Sequence, residues 1–201
     1  MQKYFVLSWV LSLFLLGSCQ DTSPVLPTAT KTEYFDIAGF IQEQVRLLNT
    51  EKPAAIKSVQ ESGETTETKT VKNLNWTKEL ESFAEIDLNK PAFRDAYTVS
   101  RQAQPDGTIT ETYRRKPDTE SDIQLVTVTT NGQKQVASIQ AIRESDNMLL
   151  ASRKEMQLTC NTKNNVNRVQ SFRIEGEQKP LIFENLHYII ATEILIATEI
   201  R

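Results

Sequence analysis

Three side chains of this sequence could supply a thiolate nucleophile or an imidazole base: Cys19, Cys160 and His187. A thiolate is a strong nucleophile, and imidazole takes up and releases protons close to pH 7. His187 is the only histidine, so any Ser–His or Cys–His mechanism has to use it. No motif beside it supplies a nucleophile, and Cys160 falls on the apolar side of a strand pattern. The residues therefore favour core packing for Cys160 and leave a hydrolase centred on His187 as a second alternative function.

The sequence lacks the residue patterns of calcium, phosphate and zinc sites. Asp118, Glu120 and Asp122 alternate as at the start of a calcium loop, but the glycine of the turn and the closing glutamate are missing. The glycines are scattered, so no phosphate-binding loop is formed, and one cysteine with one histidine cannot build a typical zinc site. We therefore predict a non-enzymatic protein with no catalytic residue, no metal site and no cofactor.

Cys19 ends a segment with a different character. Lys3 precedes an apolar run over residues 5–16, which is followed by two small residues and the cysteine in Leu16-Gly17-Ser18-Cys19. A run of this length is too short to cross a bilayer, which needs about 20 apolar residues. A positive start, a short apolar stretch and small residues at its end are typical of a cleaved export signal.

Leu16-Gly17-Ser18-Cys19 resembles the lipobox of bacterial lipoproteins with a type II signal peptide. The resemblance implies a signal peptide over residues 1–18, cleavage after Ser18, and a diacylglycerol thioether on Cys19. It also implies acylation of the freed amine with a fatty acid such as palmitate. Two or three acyl chains are needed for stable anchoring, because one chain alone binds a membrane only marginally. Gln20 stands where an inner-membrane retention signal would have Asp, which favours the outer membrane. Asp21 alone is too little to indicate surface export, so the periplasmic side is expected.

Residues 19–32 are expected to form the lipidated cysteine and a flexible tether. This segment contains Pro24, Pro27 and many hydroxyl residues, and it shows no hydrophobic period. The thirteen residues from Gln20 to Thr32, at about 3.1 Å each when extended, span roughly 40 Å.

The remaining chain has to provide the elements that position any site. Apolar residues at three- and four-residue steps predict a helix from Ile37 to Asn49, and a second helix is predicted over Trp76–Ala84 with Asn75 as its N-cap. Paired strand patterns flank turn residues at Gly63, Gly107 and Gly132. The sequence thus predicts an α+β fold, an antiparallel meander with one face covered by two helices.

The expected domain covers residues 33–178, and residues 179–201 form an apolar segment with a short direct repeat, Ile190–Ile194 and Ile196–Ile200. We interpret that segment as a last strand or helix, with contact to a membrane or partner as the alternative. Five apolar residues of the helix and strand patterns form a predicted packing or ligand cluster: Trp76, Leu80, Phe83, Met156 and Leu158.

The stretch around Trp76, the single helix that precedes it and the meander resemble an uncharacterised lipoprotein family of Bacteroidota. The resemblance spans about Tyr34 to Gly176, and the tail after Gln178 departs from it. It implies an envelope location and brings no activity with it.

Charge narrows the classes of partner. The chain has 23 basic and 26 acidic side chains and a formal net charge of −3, which provides no electrostatic footprint for nucleic acid. The sequence predicts a lipid-anchored envelope protein whose partners are the membrane and an envelope protein or an apolar ligand. A periplasmic carrier of lipids or lipoproteins, or a chaperone-like module, is the first alternative.

Overall fold

A computed structural model describes residues 34–163 and 165–195. The signal peptide, Cys19, the tether and the second copy of the repeat lie outside these residues. The elements in chain order are α1 (Ile37–Glu51), β1 (Ala54–Glu61), β2 (Glu67–Val71), α2 (Trp76–Glu79), α3 (Glu81–Ala84), a 3₁₀ turn (Pro91–Phe93), β3 (Tyr97–Ala103), β4 (Ile109–Arg115), β5 (Ile123–Thr130), β6 (Val136–Asp146), β7 (Leu150–Lys163), β8 (Val166–Pro180) and β9 (Leu186–Leu195).

The nine strands of the described residues form one antiparallel sheet in the order β2-β1-β9-β8-β7-β6-β5-β4-β3. Strands β3 to β9 follow one another as a meander, because each is joined to the next by a short turn. The exception to this local order is β1, which pairs with β9 from Ala54 opposite Leu195 to Glu61 opposite Tyr188. The α+β meander expected from the sequence is confirmed.

Helix α1 lies on one face of the sheet and closes the core there. Asp36 caps its first turn by accepting a 2.9 Å hydrogen bond from the Gly39 amide, and Lys52 ends it in the left-handed conformation. Ile37, Ile41 and Leu48 recur on one side of the helix and are each 1% exposed or less. This spacing places one apolar stripe against the sheet.

Gln44 is the polar exception on that buried stripe. Its side-chain amide donates to the Asn167 carbonyl at 3.1 Å, and its oxygen accepts from the Val169 amide at 2.9 Å. Strand β8 is irregular at this point, since its register with β7 shifts between Thr159 and Cys160. Gln44 therefore supplies a partner for the Val169 amide, which would otherwise be buried without one.

The second predicted helix is present in two short parts. Asn75 caps α2 through a 3.2 Å bond from the Lys78 amide, as expected. Leu80 then leaves the helical conformation and separates α2 from α3. The break leaves Trp76, Leu80 and Phe83 all buried.

The turns at Gly107 and Gly132 lie at the end of the sheet remote from Tyr34, and only Gly107 has the positive φ typical of a turn glycine. Gly107 has a φ of +83°, but at the Asn131-Gly132 hairpin the positive φ, +61°, belongs to Lys134. Gly132 is required there for another reason: a Cβ on it would lie 2.9 Å from the Asp106 carbonyl oxygen. The two turns touch through their glycines.

Most of the described part of the C-terminal segment, residues 179–195, belongs to the sheet. Residues Leu186–Leu195 form β9, which lies between β8 and β1, so the first copy of the repeat is in a strand. Within the described residues no helix is long and apolar enough to cross a membrane.

Candidate functional site

The space between the helices and the sheet is filled by large side chains. Trp76, Leu80 and Phe83 are 1% exposed or less, and the rings of Phe83 and Phe172 meet edge to face at 6.0 Å. Met156 and Leu158 reach the same core from β7 and are 2% and 0% exposed. The structure therefore brings the five residues of the predicted cluster into one core, where their contacts are those of packing.

Two polar atoms in this core have no hydrogen-bond partner within the described part of the chain: Trp76 Nε1 and Thr192 Oγ1. An unpaired buried donor such as the indole N–H costs about 1–3 kcal/mol. Since both residues are 2% exposed or less, the surrounding apolar packing has to offset that cost.

The opposite face of the sheet carries no helix and is polar. One row of cross-strand neighbours runs through Gln140, Gln157, Arg173, Ala191 and Ser58, on β6, β7, β8, β9 and β1. The alternation of polar outward and apolar inward residues in β7 predicted such a face. We call it the uncovered face.

Two depressions of about 380 and 230 Å³ lie on the uncovered face. Gln157 and Arg173 line both of them, so they adjoin at the centre of the sheet. Leu125 and Ile142 contribute the apolar part of the smaller one. The face thus offers amide, guanidinium and carboxylate groups around a small apolar patch.

Hydroxyl pairs stiffen the uncovered face between strands. Thr159 and Ser171 share a 2.7 Å hydrogen bond across β7 and β8, and Ser58 and Thr68 share one of 2.9 Å across β1 and β2. Cross-strand pairs of this kind stabilise a sheet by roughly 0.2–1 kcal/mol each. The backbone beneath the face is therefore held in one geometry.

His187 lies on the uncovered face, where it faces carboxylate rather than a nucleophile. Its Nε2 is 3.0 Å from Glu175 Oε1, and Arg173 donates to the other oxygen of Glu175 at 2.9 Å. These two hydrogen bonds, first from His187 and then from Arg173, lower the pKa of the Glu175 carboxyl. The hydroxyl of Ser62 bonds to the backbone of His187 and not to its ring. The arrangement is a surface ion cluster, and it lacks the geometry of a triad.

Comparison with known proteins returns nothing. No family model, curated protein or solved structure matches this chain. The candidate site accordingly rests on geometry alone.

Cys160 lies on the covered face of the sheet, whereas His187 and Glu175 lie on the uncovered face. It packs against the core from the covered side, and burial raises its thiol pKa to about 12. At neutral pH such a thiol is almost entirely protonated, and it is the thiolate that reacts. The structure does not bring Cys160 and His187 together.

Asp122, the last residue of the acidic run before β5, makes a structural ion pair. The Asp122 carboxylate accepts from Arg143 Nε at 2.9 Å, and the same guanidinium reaches Glu85 after α3. No cluster of three or more acidic, histidine or cysteine side chains suited to a metal occurs in residues 34–163 and 165–195. Asp122 therefore links a loop to the strand beside it and to the helical layer.

The depressions at Gln157 and Arg173 could not be predicted from the sequence. The alternation of polar and apolar residues along β7 and β8 indicates which residues share a face. It does not give the cross-strand register, and register decides which residues adjoin.

Proposed function

We propose that this is a lipid-anchored protein of the cell envelope that performs no catalysis and binds a protein partner through the uncovered face of its sheet. The observation that carries the proposal is the contrast between the two faces. Beneath the helices, one face is packed with side chains such as Trp76, Phe83 and Leu158, which are 1% exposed or less. The other face offers adjoining depressions at Gln157 and Arg173.

The chemistry of that face suits a protein partner. Gln140, Gln157, Arg173 and Glu155 provide donors and acceptors that a peptide backbone or polar side chain matches. Leu125 and Ile142 provide the apolar centre. Protein interfaces combine a small apolar core with a polar rim in this way.

A lipid carrier is the alternative function, and the packed interior argues against it. A carrier needs an apolar cavity that is open to its ligand. Trp76 would line that cavity, yet it is buried with Leu80 and Phe83. Titration with a fatty acid should leave Trp76 fluorescence unchanged, and a saturable shift would favour the carrier.

Site-specific photocrosslinking in the native cell envelope tests the partner surface. A photoreactive residue at Gln157 should give a discrete protein adduct, and one at Gln42 should not. Gln42 is a matched control because it is also an exposed glutamine, but on the outer side of α1. Arg173→Ala should reduce the Gln157 adduct. Equal labelling from both positions, or none from Gln157, would refute the proposal.

The anchor is tested separately. Metabolic labelling with a clickable fatty acid should mark the wild-type chain, and Cys19→Ser should abolish the label because the acceptor sulfur is gone. Label that persists in the variant would refute the lipoprotein interpretation.

A further inference from the structure

Two neighbouring turns expose a cluster of large apolar side chains at one end of the sheet. The turn between β6 and β7 presents Met148 and Leu149, which are 88% and 67% exposed. The turn between β8 and β9 presents Leu181, Ile182 and Phe183, which are 70%, 83% and 79% exposed. We call these five residues the apolar tip.

The two turns form one surface because their strands are paired. Leu150 is opposite Pro180 in the β7–β8 register, and the Leu181 amide donates to the Leu149 carbonyl at 3.0 Å. Exposed apolar residues are common singly, but a contiguous group of this size marks a contact site.

Backbone groups of the tip are already partly satisfied. The Asn147 side-chain oxygen accepts from the amides of Leu149 and Leu150, at 3.0 and 3.1 Å. A segment that enters an apolar phase has to satisfy its backbone internally, because no water is present there. The amides of Leu149 and Leu150 thus keep their hydrogen bonds when the turn between β6 and β7 leaves water.

The chain enters the domain at this same end of the strands. Tyr34 packs edge to face on Tyr97 and Tyr113 with ring centroids 5.7 Å apart, and its hydroxyl accepts from the Tyr97 amide. Tyr97 is the first residue of β3 and is paired with Arg115. Arg115 and Lys179 line one groove, and Lys179 is two residues before Leu181. Arg115, beside the start of β3, and Lys179, beside the tip, thus lie at the same end of the sheet.

We propose that the apolar tip is a second membrane contact, which inserts into the lipid surface to which Cys19 is anchored. The inference builds on the lipid anchor of the proposed function. Thirteen tether residues reach roughly 40 Å, so anchor and tip can touch one bilayer together. The tether then limits distance from the membrane, and the tip fixes the orientation of the domain.

Insertion is expected to depend on apolar contact and little on charge. Two basic residues near the tip are already paired: Arg153 with Glu144 and Glu155, and Lys179 with Glu177. Binding to vesicles of zwitterionic lipid should therefore persist at high salt, which screens exposed charges.

The test uses a chain that begins at Gln20 and lacks the lipid. All of the described core lies between Tyr34 and Ile194, so this chain keeps a complete core. In a Cys160→Ala background, an environment-sensitive dye at Ile182→Cys should shift to the blue with phosphatidylcholine vesicles. Lipids with a quencher on the acyl chain should quench it. The same dye at Gln133→Cys, in an exposed turn at the other end of the sheet, should not respond.

Vesicle flotation gives the second measurement. The triple variant Leu181→Ser, Ile182→Ser, Phe183→Ser should bind vesicles about tenfold or more weakly, because three apolar side chains no longer leave water. Val99→Ser is the matched control, since Val99 is 53% exposed on an edge strand. Both variants should unfold at the wild-type temperature.

Two results would overturn the proposal. One is a dye at Ile182→Cys that does not respond to any vesicle. The other is a vesicle-free dimer that the triple variant abolishes, which would assign the tip to a second copy of the chain. Fatty-acid labelling at Cys19 tests lipidation independently of vesicle binding. Failure of the proposed tip insertion can therefore be distinguished from failure of the proposed lipid anchor.

Discussion

Trp76 shows at the scale of one residue how this core obtains its stability. The indole is 1% exposed and its N–H has no partner among the described residues, so its contribution comes from apolar contact. Aromatic side chains bury large areas and dominate such cores. Position 76 is therefore where the packed interior is most sensitive to change.

Trp76→Ala should lower the free energy of unfolding by about 3–5 kcal/mol, because it leaves a cavity between α2 and the sheet. Trp76→Phe should cost less, since most of the volume remains and the unpaired N–H is removed. Urea unfolding followed by circular dichroism measures both. A cost near zero for Trp76→Ala would show that the interior is open.

Cys160 provides a pH-dependent prediction at the same scale. Its native thiol pKa is raised to about 12 from 9.0 by burial, so the unfolded thiol ionises first as pH rises. Above pH 9 the unfolded state binds fewer protons, and stability falls by up to about 1.4 kcal/mol per pH unit. Cys160→Ala should remove that part of the decline between pH 9 and 10, and comparison of the two proteins separates it from the part that tyrosine ionisation contributes. A thiol reagent at pH 8 should modify native Cys160 slowly and unfolded Cys160 fast.

At the scale of elements, the contact between α1 and β8 depends on one polar side chain. Gln44 pairs the Asn167 carbonyl and the Val169 amide beside the strand irregularity. Removing it leaves the buried Val169 amide without a partner and takes one from the half-buried Asn167 carbonyl.

Gln44→Ala should destabilise the fold by about 2 kcal/mol or more. Amide hydrogen exchange should show the loss of protection first at Val169. Gln42→Ala is the control, because Gln42 is an exposed glutamine of the same helix. If both variants lose the same stability, the loss comes from helix formation rather than from the contact with β8.

The two turns that touch provide the other prediction at this scale. Gly107→Ala should cost more than Gly63→Ala, although both glycines have positive φ. The left-handed conformation costs each alanine about 1–2 kcal/mol. At Gly107 a Cβ also meets the Gly132 Cα at 2.9 Å, whereas nothing lies within 4 Å at Gly63. Thermal unfolding of the two variants measures the difference, and equal melting temperatures would refute the contact.

These elements show which parts of the fold could be predicted from the sequence. The period of α1 and the turn residues at Gly107 and Gly132 are local signals, so the helix and the hairpins could be predicted. The break at Leu80 could not, because packing of Trp76 and Phe83 overrides a continuous helical pattern. The pairing of β1 with β9 depends on contacts across most of the chain, which periodicity does not encode. The depressions and the apolar tip depend in turn on that sheet register.

For the whole molecule, β9 is the strand on which completion of the sheet depends. It is paired on one side with β8 and on the other with β1. Ile194 is buried on it, and Thr192 lies beside the same core.

A chain that ends at residue 185 should fail to unfold cooperatively, because β1 and β8 both lose their neighbour. A chain that ends at residue 195 keeps every buried residue of the described part and should unfold as one unit. Denaturant titration with two independent probes distinguishes the cases. Cooperative unfolding of the shorter chain would show that β9 is dispensable.

The pairing of β1 with β9 also determines when the sheet can be completed during synthesis. A ribosome makes β1 about 130 residues before its partner, so β1 and β2 have to wait while the meander grows strand by strand. Until β9 arrives, β1 and β8 are open edges of the kind that join other chains. Among the described strands β9 is made last, and its pairing covers these two inner edges, so that only β2 and β3 remain as edges of the sheet. A slow or interrupted end of translation therefore prolongs the stage at which four strand edges are open to other chains.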